Sequence, residues 1–267
     1  MGDGQIFSRI VGYIQFDLLH FDLVVLDIYL KFISEKLKSY IYSEPDLSSE
    51  SLYWRRFFRK KAIESSDLNI LTYRKEPKPS LMTAMKVLKN EFNETIICLD
   101  IGCGPISEFY TKDFAENDEI KIITIDPLAD VYQELHKKYS TGYNLTCIKG
   151  YGEKLKEMFP NNMLHCVYIQ NALDHSQDPV EFLQNTYHIL KPGGVLILDG
   201  FIKEGTAAHW LGLHNWDIET EKDDLLLTNR SKSIYRKNMT QPLGLKIISN
   251  SVDGNDVGGK YTMIYQK

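Results

Sequence analysis

Short apolar runs bounded by polar turns dominate the chain from residue 95 onward. Thr95-Ile96-Ile97-Cys98-Leu99, Ile120 to Ile125, Leu145 to Ile148, Leu164 to Gln170 and Val195 to Leu198 are short and rich in β-branched residues, which predicts buried strands. Helix-like segments fall between them, at Ile106 to Phe114 and at Val180 to Leu190, the second ended by Pro192-Gly193-Gly194. Such alternation predicts an α/β fold with a mostly parallel sheet. Gly244 to Asn250 and Lys260 to Gln266, joined by the Gly-, Asp- and Asn-rich stretch Ser251 to Gly259, read as a closing antiparallel hairpin. Residues 201–242 read as irregular and polar apart from Trp210, Leu211, Leu213 and Trp216, and a connector of that length suits a lid or a binding insertion.

A different period governs the first third of the chain. Ile14, Leu18, Phe21, Val25, Ile28 and Phe32 recur at spacings of four and three, which lines them along one face of a long helix. That stripe packs on the chain's own domain, forms a homodimer seam, or lies as an interfacial helix. Asp17, Asp22 and Asp27 interrupt the apolar stretch, and carboxylates near a bilayer centre are costly, so stable membrane insertion is not expected. After a break at Tyr42 to Pro45, a second helix is expected over Ser49 to Ser65, capped by Asp46 or Ser48. It carries Tyr53-Trp54-Arg55-Arg56-Phe57-Phe58-Arg59-Lys60-Lys61, whose cations face water, grip a phosphate or carboxylate of an acceptor, or meet nucleic acid. Residues 1–75 thus read as an N-terminal helical cap over the substrate pocket, Lys75 to Pro79 as a connector, and residues 76–267 as the catalytic domain, with 201–242 as its lid.

Composition narrows the function. The 267 residues carry a net charge of -5 and are 43% hydrophobic, enough for a full core and a poor match to a general nucleic-acid binder. Cys98, Cys103, Cys147 and Cys166 lie in or beside expected strands without a Cys-x-x-Cys pair, so buried reduced thiols and a cytoplasmic location are expected.

The turn Asp100-Ile101-Gly102-Cys103-Gly104-Pro105 holds the most chemistry, because its glycines let backbone approach a ligand that any Cβ would exclude. Ser107 stands where a dinucleotide fingerprint wants its third glycine, and no Gly-Lys-Ser/Thr follows for a P-loop. Phosphate is disfavoured beside the Asp100 carboxylate. A cationic ligand such as S-adenosylmethionine, with its ammonium and sulfonium groups, is favoured there by Coulomb attraction. The next strand ends in Asp126, about twenty residues on, where a carboxylate accepts two ribose hydroxyls and Pro127 would flank an adenine.

These features together resemble the class I S-adenosylmethionine-dependent methyltransferases, especially the methyltransferase type 11 group. The likeness runs from Thr95 to Gly200 through Leu99 to Pro105, Asp126-Pro127, Gly150-Tyr151-Gly152-Glu153-Lys154-Leu155, Asn171-Ala172-Leu173-Asp174-His175-Ser176-Gln177-Asp178-Pro179 and Leu190 to Ile197. Singly, each piece serves equally well as a cap or turn; their joint order is what carries the resemblance. It implies a Rossmann-like, seven-stranded, mostly parallel sheet with an antiparallel C-terminal hairpin, and S-adenosylmethionine as cofactor with S-adenosylhomocysteine as product. By position, Asp100, Gly102, Cys103 and Gly104 would hold the methionine end, Asp126 and Pro127 the ribose and adenine, Tyr151, Gly152 and Glu153 the adenine edge, with Asn171 at the end of the fourth strand. Tyr151 departs from the family's Asp or Asn.

Methyl transfer from a sulfonium needs an acceptor lone pair in line with the methyl group, so a base is optional. Where the acceptor is a hydroxyl, His175 in the fourth turn and His209, His214 and Asp217 in the lid are candidates to take its proton. The last three do not follow a zinc spacing, so no metal is expected. Gln170-Asn171-Ala172-Leu173 stands where nucleic-acid methyltransferases carry Asn/Asp-Pro-Pro-Tyr/Phe, so no nucleic acid is expected as partner. The leading expectation is O-methylation of a small polar acceptor such as a sugar, sugar phosphate or precursor in polysaccharide biosynthesis, from a weak likeness of Leu211 to Asp217 to such enzymes. N-methylation, or a cofactor-binding partner subunit without activity, are the alternatives.

Overall fold

The structure, a computed structural model, describes residues 47–64, 76–143, 146–231, 235–236, 238–254 and 256–267. The stripe Ile14 to Phe32, the break at Tyr42 to Pro45 and the boundary at residue 75 lie outside these. Asp46–Lys267 forms one compact unit.

Alternation of side chains across the strands builds two cores, one on each face of the sheet. The strands β1 (Ile96–Ile101), β2 (Ile120–Asp126), β3 (Cys147–Lys149), β4 (Leu164–Gln170) and β5 (Leu190–Phe201) run parallel to their neighbours, with β1 paired to both β2 and β4. Cys98, Cys166 and Ile197 turn to one face, where α2 (Pro79–Glu91) lays down Leu81, Ala84, Met85 and Leu88. Leu99, Val167 and Leu196 turn to the other, with Leu155 of the short α5 (Leu155–Met158) and Phe182, Leu183 and Ile189 of α6 (Pro179–Ile189). Leu81, Leu88, Leu99 and Leu196 have no exposed surface, and each such side chain contributes about 2 kcal/mol of burial. Asp178 caps α6 by accepting from the amides of Val180 and Glu181 at 2.9 and 3.1 Å.

The closing hairpin forms as expected. β10 (Lys260–Gln266) pairs antiparallel with β5 and with β9 (Lys246–Asp253), which gives the order β3-β2-β1-β4-β5-β10-β9. Between β1 and β4 the sheet reverses direction of growth, the position where an open α/β sheet leaves a crevice at its carboxyl edge.

Three local differences from the sequence reading have physical causes. Residues 106–114 do not make one helix; only α3 (Lys112–Ala115) is helical. The Asp100 carboxylate accepts from the Ser107 hydroxyl and the Glu108 amide, and Ser107 Oγ accepts from the Phe109 amide, so side chains take amides that a helix would need. β5 starts at Leu190 and runs through Pro192-Gly193-Gly194 instead of following a stop. Its Gly193 amide donates to the Lys267 carbonyl and its Gly194 carbonyl accepts from the Lys267 amide, so the glycines pair with the C-terminus.

Residues 201–242 are not irregular. They hold α7 (Glu204–Ala207) and a separate antiparallel sheet of β6 (Trp216–Glu221), β7 (Asp224–Asn229) and β8 (Tyr235–Arg236). Trp216, Ile218, Leu225 and Leu227 alternate inward and join the core over α6. Asp224 fastens the far end by accepting from the amides of Thr240 and Gln241 at 2.8 and 2.9 Å.

Candidate active site

The glycine turn after β1 is shaped by positive backbone angles and by what lies behind it. Gly102 and Gly104 have φ of 67° and 61°, and a Cβ on Gly102 would run into the Ala172 side chain. That contact sets the β1 turn directly against the β4 turn. The amides of Gly102 and Cys103 donate to the Ile125 carbonyl at 2.9 and 3.3 Å, which ties the turn to the end of β2. Cys103 is half-buried, with its thiol 3.4 Å from that of Cys147; that neighbour and burial push the Cys103 thiol pKa up. All four cysteines are free.

Both strand-end carboxylates are buried and hydrogen-bonded. Asp100 is 2% exposed and faces Ser107 and Glu108 as described above. Asp126 accepts from the Leu128 amide at 2.8 Å and the Gly104 amide at 3.0 Å. Burial pushes its pKa up to about 6, against the downward pull of those amides and of the Tyr132 hydroxyl, while Glu50 adds a further upward push. The two amides take two of its roughly four lone-pair sites, so a pair of hydroxyl donors fits there only in place of the Tyr132 hydroxyl.

Asn171 has φ of 47°, and its side-chain oxygen is buried with no hydrogen-bond partner. An orphaned acceptor at the mouth of the glycine turn suits an ammonium donor. Pro127 is half-buried just past Asp126. Gly152 packs beneath Phe182, and Glu153 accepts from the amides of Gln177 and Asp178, so these two fasten the β3 turn to α6. Tyr151 stands next to them, its ring under the Lys154 ammonium at 5.8 Å.

The helix α1 (Ser48–Glu64) closes over this side. An ideal Cβ on Gly104 would lie 3.9 Å from Trp54, and Trp54 meets Tyr132 edge-on at 5.9 Å, on α4 (Ala129–Tyr139). Trp54 Nε1 donates to Glu50 at 2.8 Å. Phe58 is fully buried beside Leu135, and Arg55 makes a two-point ion pair with Glu134 at 2.7 and 2.9 Å. Arg56 and Arg59 remain exposed.

Beyond β4 the chain brings together groups far apart in sequence. His175 Nε2 lies 3.1 Å from His214 Nδ1, and His214 Nδ1 lies 2.8 Å from Asp174 Oδ2. Asp174, 3% exposed, is also 3.4 Å from His175 Nε2. The hydrogen bond to Asp174 pushes the His214 pKa up, partly offset by burial. Glu204 at the start of α7 is pushed up to about 7, first by burial and then by the Asp174 charge. This arrangement sets two imidazoles beside a buried carboxylate, where a proton can be accepted and passed on.

His209 and Asp217 do not join the cluster. Asp217 accepts from the Thr206 amide at 2.7 Å and the Thr206 hydroxyl at 2.6 Å, so it fixes α7, and His209 is exposed at φ of 54°. The sequence reading left out Asp174 and Glu204. Asp174 stood beside His175 in the quoted motif, but only the fold supplies the His214 partner that gives it a role.

Residues 99–198 match the model of the methyltransferase domain family. The chain carries a class I S-adenosylmethionine-dependent methyltransferase domain. Its cofactor is S-adenosylmethionine. This methyltransferase domain is 25% identical over 112 residues to the ubiquinone/menaquinone biosynthesis C-methyltransferase of Proteus mirabilis, covering 42% of this chain and 44% of that protein. It is 29% identical over 132 residues to a thiol S-methyltransferase of Rattus norvegicus, covering 48% and 51%. The chain thus spans about half or less of the length of these curated relatives. A solved S-adenosylmethionine-dependent methyltransferase from Clostridium acetobutylicum is similar at 17% identity and a TM-score of 0.42, over 70% of this chain and 89% of that one. Among the described residues no helix is long and apolar enough to cross a membrane.

Proposed function

We propose that this methyltransferase moves a methyl group to an oxygen of a small polar acceptor, a hydroxyl of a sugar, sugar phosphate or surface-glycan precursor. The observation that carries the reading is the cluster of Asp174, His175 and His214, whose Asp174 follows by two positions the Ala172 that lies against Gly102 of the glycine loop. Neither a thiolate nor a neutral amine needs so elaborate a proton acceptor, whereas a hydroxyl gains from one. The choice of a sugar rests on the segment Leu211 to Asp217, and the exposed Arg56 and Arg59 offer cations to an anionic acceptor.

S-adenosylmethionine, when bound, supplies the electrophilic methyl group. Asp126 accepts from the ribose hydroxyls, with Pro127 beside the base. The orphaned Asn171 oxygen and the Asp100 end of the turn take the ammonium, and Gly102, Cys103 and Gly104 offer backbone that no Cβ obstructs. Tyr151, Gly152 and Glu153 hold the adenine-side turn in shape. His175 takes the hydroxyl proton, and His214, held by Asp174, shares the resulting charge. His209 and Asp217 act only by shaping the lid. In this reading residues 76–267 perform the transfer with 201–242 as the lid, and the reduced thiols fit a cytoplasmic setting.

Incubation of the chain with S-adenosylmethionine and a panel of sugars, sugar phosphates, amines and thiols tests this. An oxygen acceptor that gains about 14 mass units, one CH₂, together with stoichiometric S-adenosylhomocysteine, supports the reading. Product only from amines or thiols overturns it.

A further inference from the structure

We propose that Asp174, His175 and His214 bind a divalent first-row transition-metal ion at the acceptor side of the cleft. Three donor atoms from three side chains form a closed triangle, with edges of 2.8 Å from His214 Nδ1 to Asp174 Oδ2, 3.1 Å from His175 Nε2 to His214 Nδ1 and 3.4 Å from His175 Nε2 to Asp174 Oδ2. Hydrogen bonding satisfies such a triangle poorly. A proton on His214 Nδ1 and one on His175 Nε2 can serve at most two of the three edges, so hydrogen bonding leaves one close contact without a proton of its own. One cation above the triangle engages all three.

The dimensions fit. With metal bonds of about 2.1 Å to nitrogen and oxygen, an ion centred over edges of this size stands about 1 Å out of the plane, on one face, and leaves its other side open. Two imidazoles and one carboxylate are a donor set that suits zinc, iron, cobalt or manganese, and an open position beside three protein ligands marks a site that also takes an outside oxygen.

The ligands are positioned by their surroundings. The Asp174 carbonyl accepts from the amides of Asn215 and Trp216 at 2.9 and 3.2 Å, and Trp216 Nε1 donates to the Ser176 carbonyl at 3.0 Å. These bonds staple the turn after β4 to the start of β6, so His175 and His214 meet without a loop having to close. Charge also favours a cation. The Asp174 carboxylate is buried, and both histidines lie within ion-pair distance of it.

The inference deepens the function proposed above and rests on it only for what the ion would do there: in the loaded protein His175 and His214 are ligands and not the base, and the ion would fix the acceptor oxygen and acidify its hydroxyl, whose proton would pass to water. Acceptors with two neighbouring oxygen donors would gain most. Metal binding itself is measured without turnover.

The test uses the full chain without a polyhistidine tag, stripped with a chelator and reloaded with Co²⁺ or Zn²⁺. Expected are about one ion per chain after dialysis and a visible Co²⁺ absorption band. His214→Ala and Asp174→Asn should each weaken binding at least about tenfold, while His209→Ala binds like wild type. Calorimetry with S-adenosylhomocysteine checks that each variant is folded, and His214→Asn replaces any variant that is not. A wild-type chain that takes up no ion, or an ion that stays equally tight in the His175→Ala/His214→Ala chain, overturns the metal site. Metal uptake without methyl transfer to any oxygen acceptor would instead overturn the O-methylation reading and leave the site standing.

Discussion

At the carboxyl ends of β1 and β2, Asp100 and Asp126 accept mainly from backbone amides and a serine hydroxyl close in sequence or on the adjoining strand, whereas beyond β4 Asp174 meets the side chain of His214 from 40 residues away. The first region is set by the backbone and holds its shape before any ligand arrives. The second depends on side chains delivered by residues 201–242, where burial pushes the Glu204 carboxyl up to about 7. A common cofactor suits the first design, and an acceptor that varies between enzymes suits the second. Each prediction below separates the two.

The largest effect is expected at the hinge between them. Gly102→Val places a side chain against Ala172 at a φ of 67° that branched residues avoid. Strain and overpacking together should cost about 2–4 kcal/mol and remove S-adenosylhomocysteine binding, read by thermal melting and calorimetry. Gly244→Ala, at φ of 75° with nothing within 4 Å of its Cβ, isolates the strain and should cost only about 1 kcal/mol. Equal losses in both would mean that the packing of the two turns carries little.

Next in size comes the acceptor side. Asp174→Asn and His214→Ala should each lower turnover about 10²- to 10⁴-fold while leaving the dissociation constant of S-adenosylhomocysteine within about twofold. A matching loss of cofactor binding would show that the two regions are not separable.

The cofactor side has its own signature in pH. Burial raises the Asp126 pKa to about 6 from an ordinary 3.8, so the folded chain binds that proton more tightly than the unfolded one. Its contribution to stability is therefore present below about pH 4 and is lost as pH rises through about 6. Cofactor binding runs the other way, because ribose hydroxyls need the ionised acceptor. The affinity for S-adenosylhomocysteine should fall about tenfold per pH unit below 6, and Asp126→Asn should bind more weakly at pH 7.5 with a flat profile. A wild-type profile that is also flat would move the ribose contact elsewhere.

The same contrast explains what could be read in the chain beforehand. Strand ends, the glycine turn and the closing hairpin are local patterns, and they appear in the fold with end shifts of three residues or fewer, except that β5 starts five residues early at Leu190. The lid sheet was not legible. Its β6–β7 turn is Lys222-Asp223, with φ of 56° on a lysine, and lacks the Asn-Gly or Asp-Gly pair that marks a hairpin. The stretch after the turn misled for a related reason: Ser107 satisfies Asp100 instead of continuing a helix, a choice dictated by a neighbour seven residues back. Partners such as His214 for Asp174 are assembled by tertiary contact alone, so a lone histidine in the lid looks no different from His209, which ends exposed.

The smallest expected effect concerns the basic and aromatic helix, and it decides to which region α1 belongs. If its cations gripped the acceptor, Arg55 would be the first to matter, since it sits on the face nearest α4. The structure commits Arg55 to Glu134 and buries Phe58 beneath the same surface, which makes this stretch a support for the cofactor wall. An ion pair whose side chains are 40% and 57% exposed is screened by water and salt. Arg55→Gln should therefore leave the acceptor KM within about twofold and produce the smallest melting shift of the series, one that shrinks further in high salt. Arg56→Gln/Arg59→Gln, which removes the exposed pair on the same helix, should raise KM for an anionic acceptor and leave KM for a neutral one unchanged. If the Arg55 variant alone raises KM for the anionic acceptor, α1 belongs to the acceptor side, and the division of the cleft must be drawn between Trp54 and Arg55.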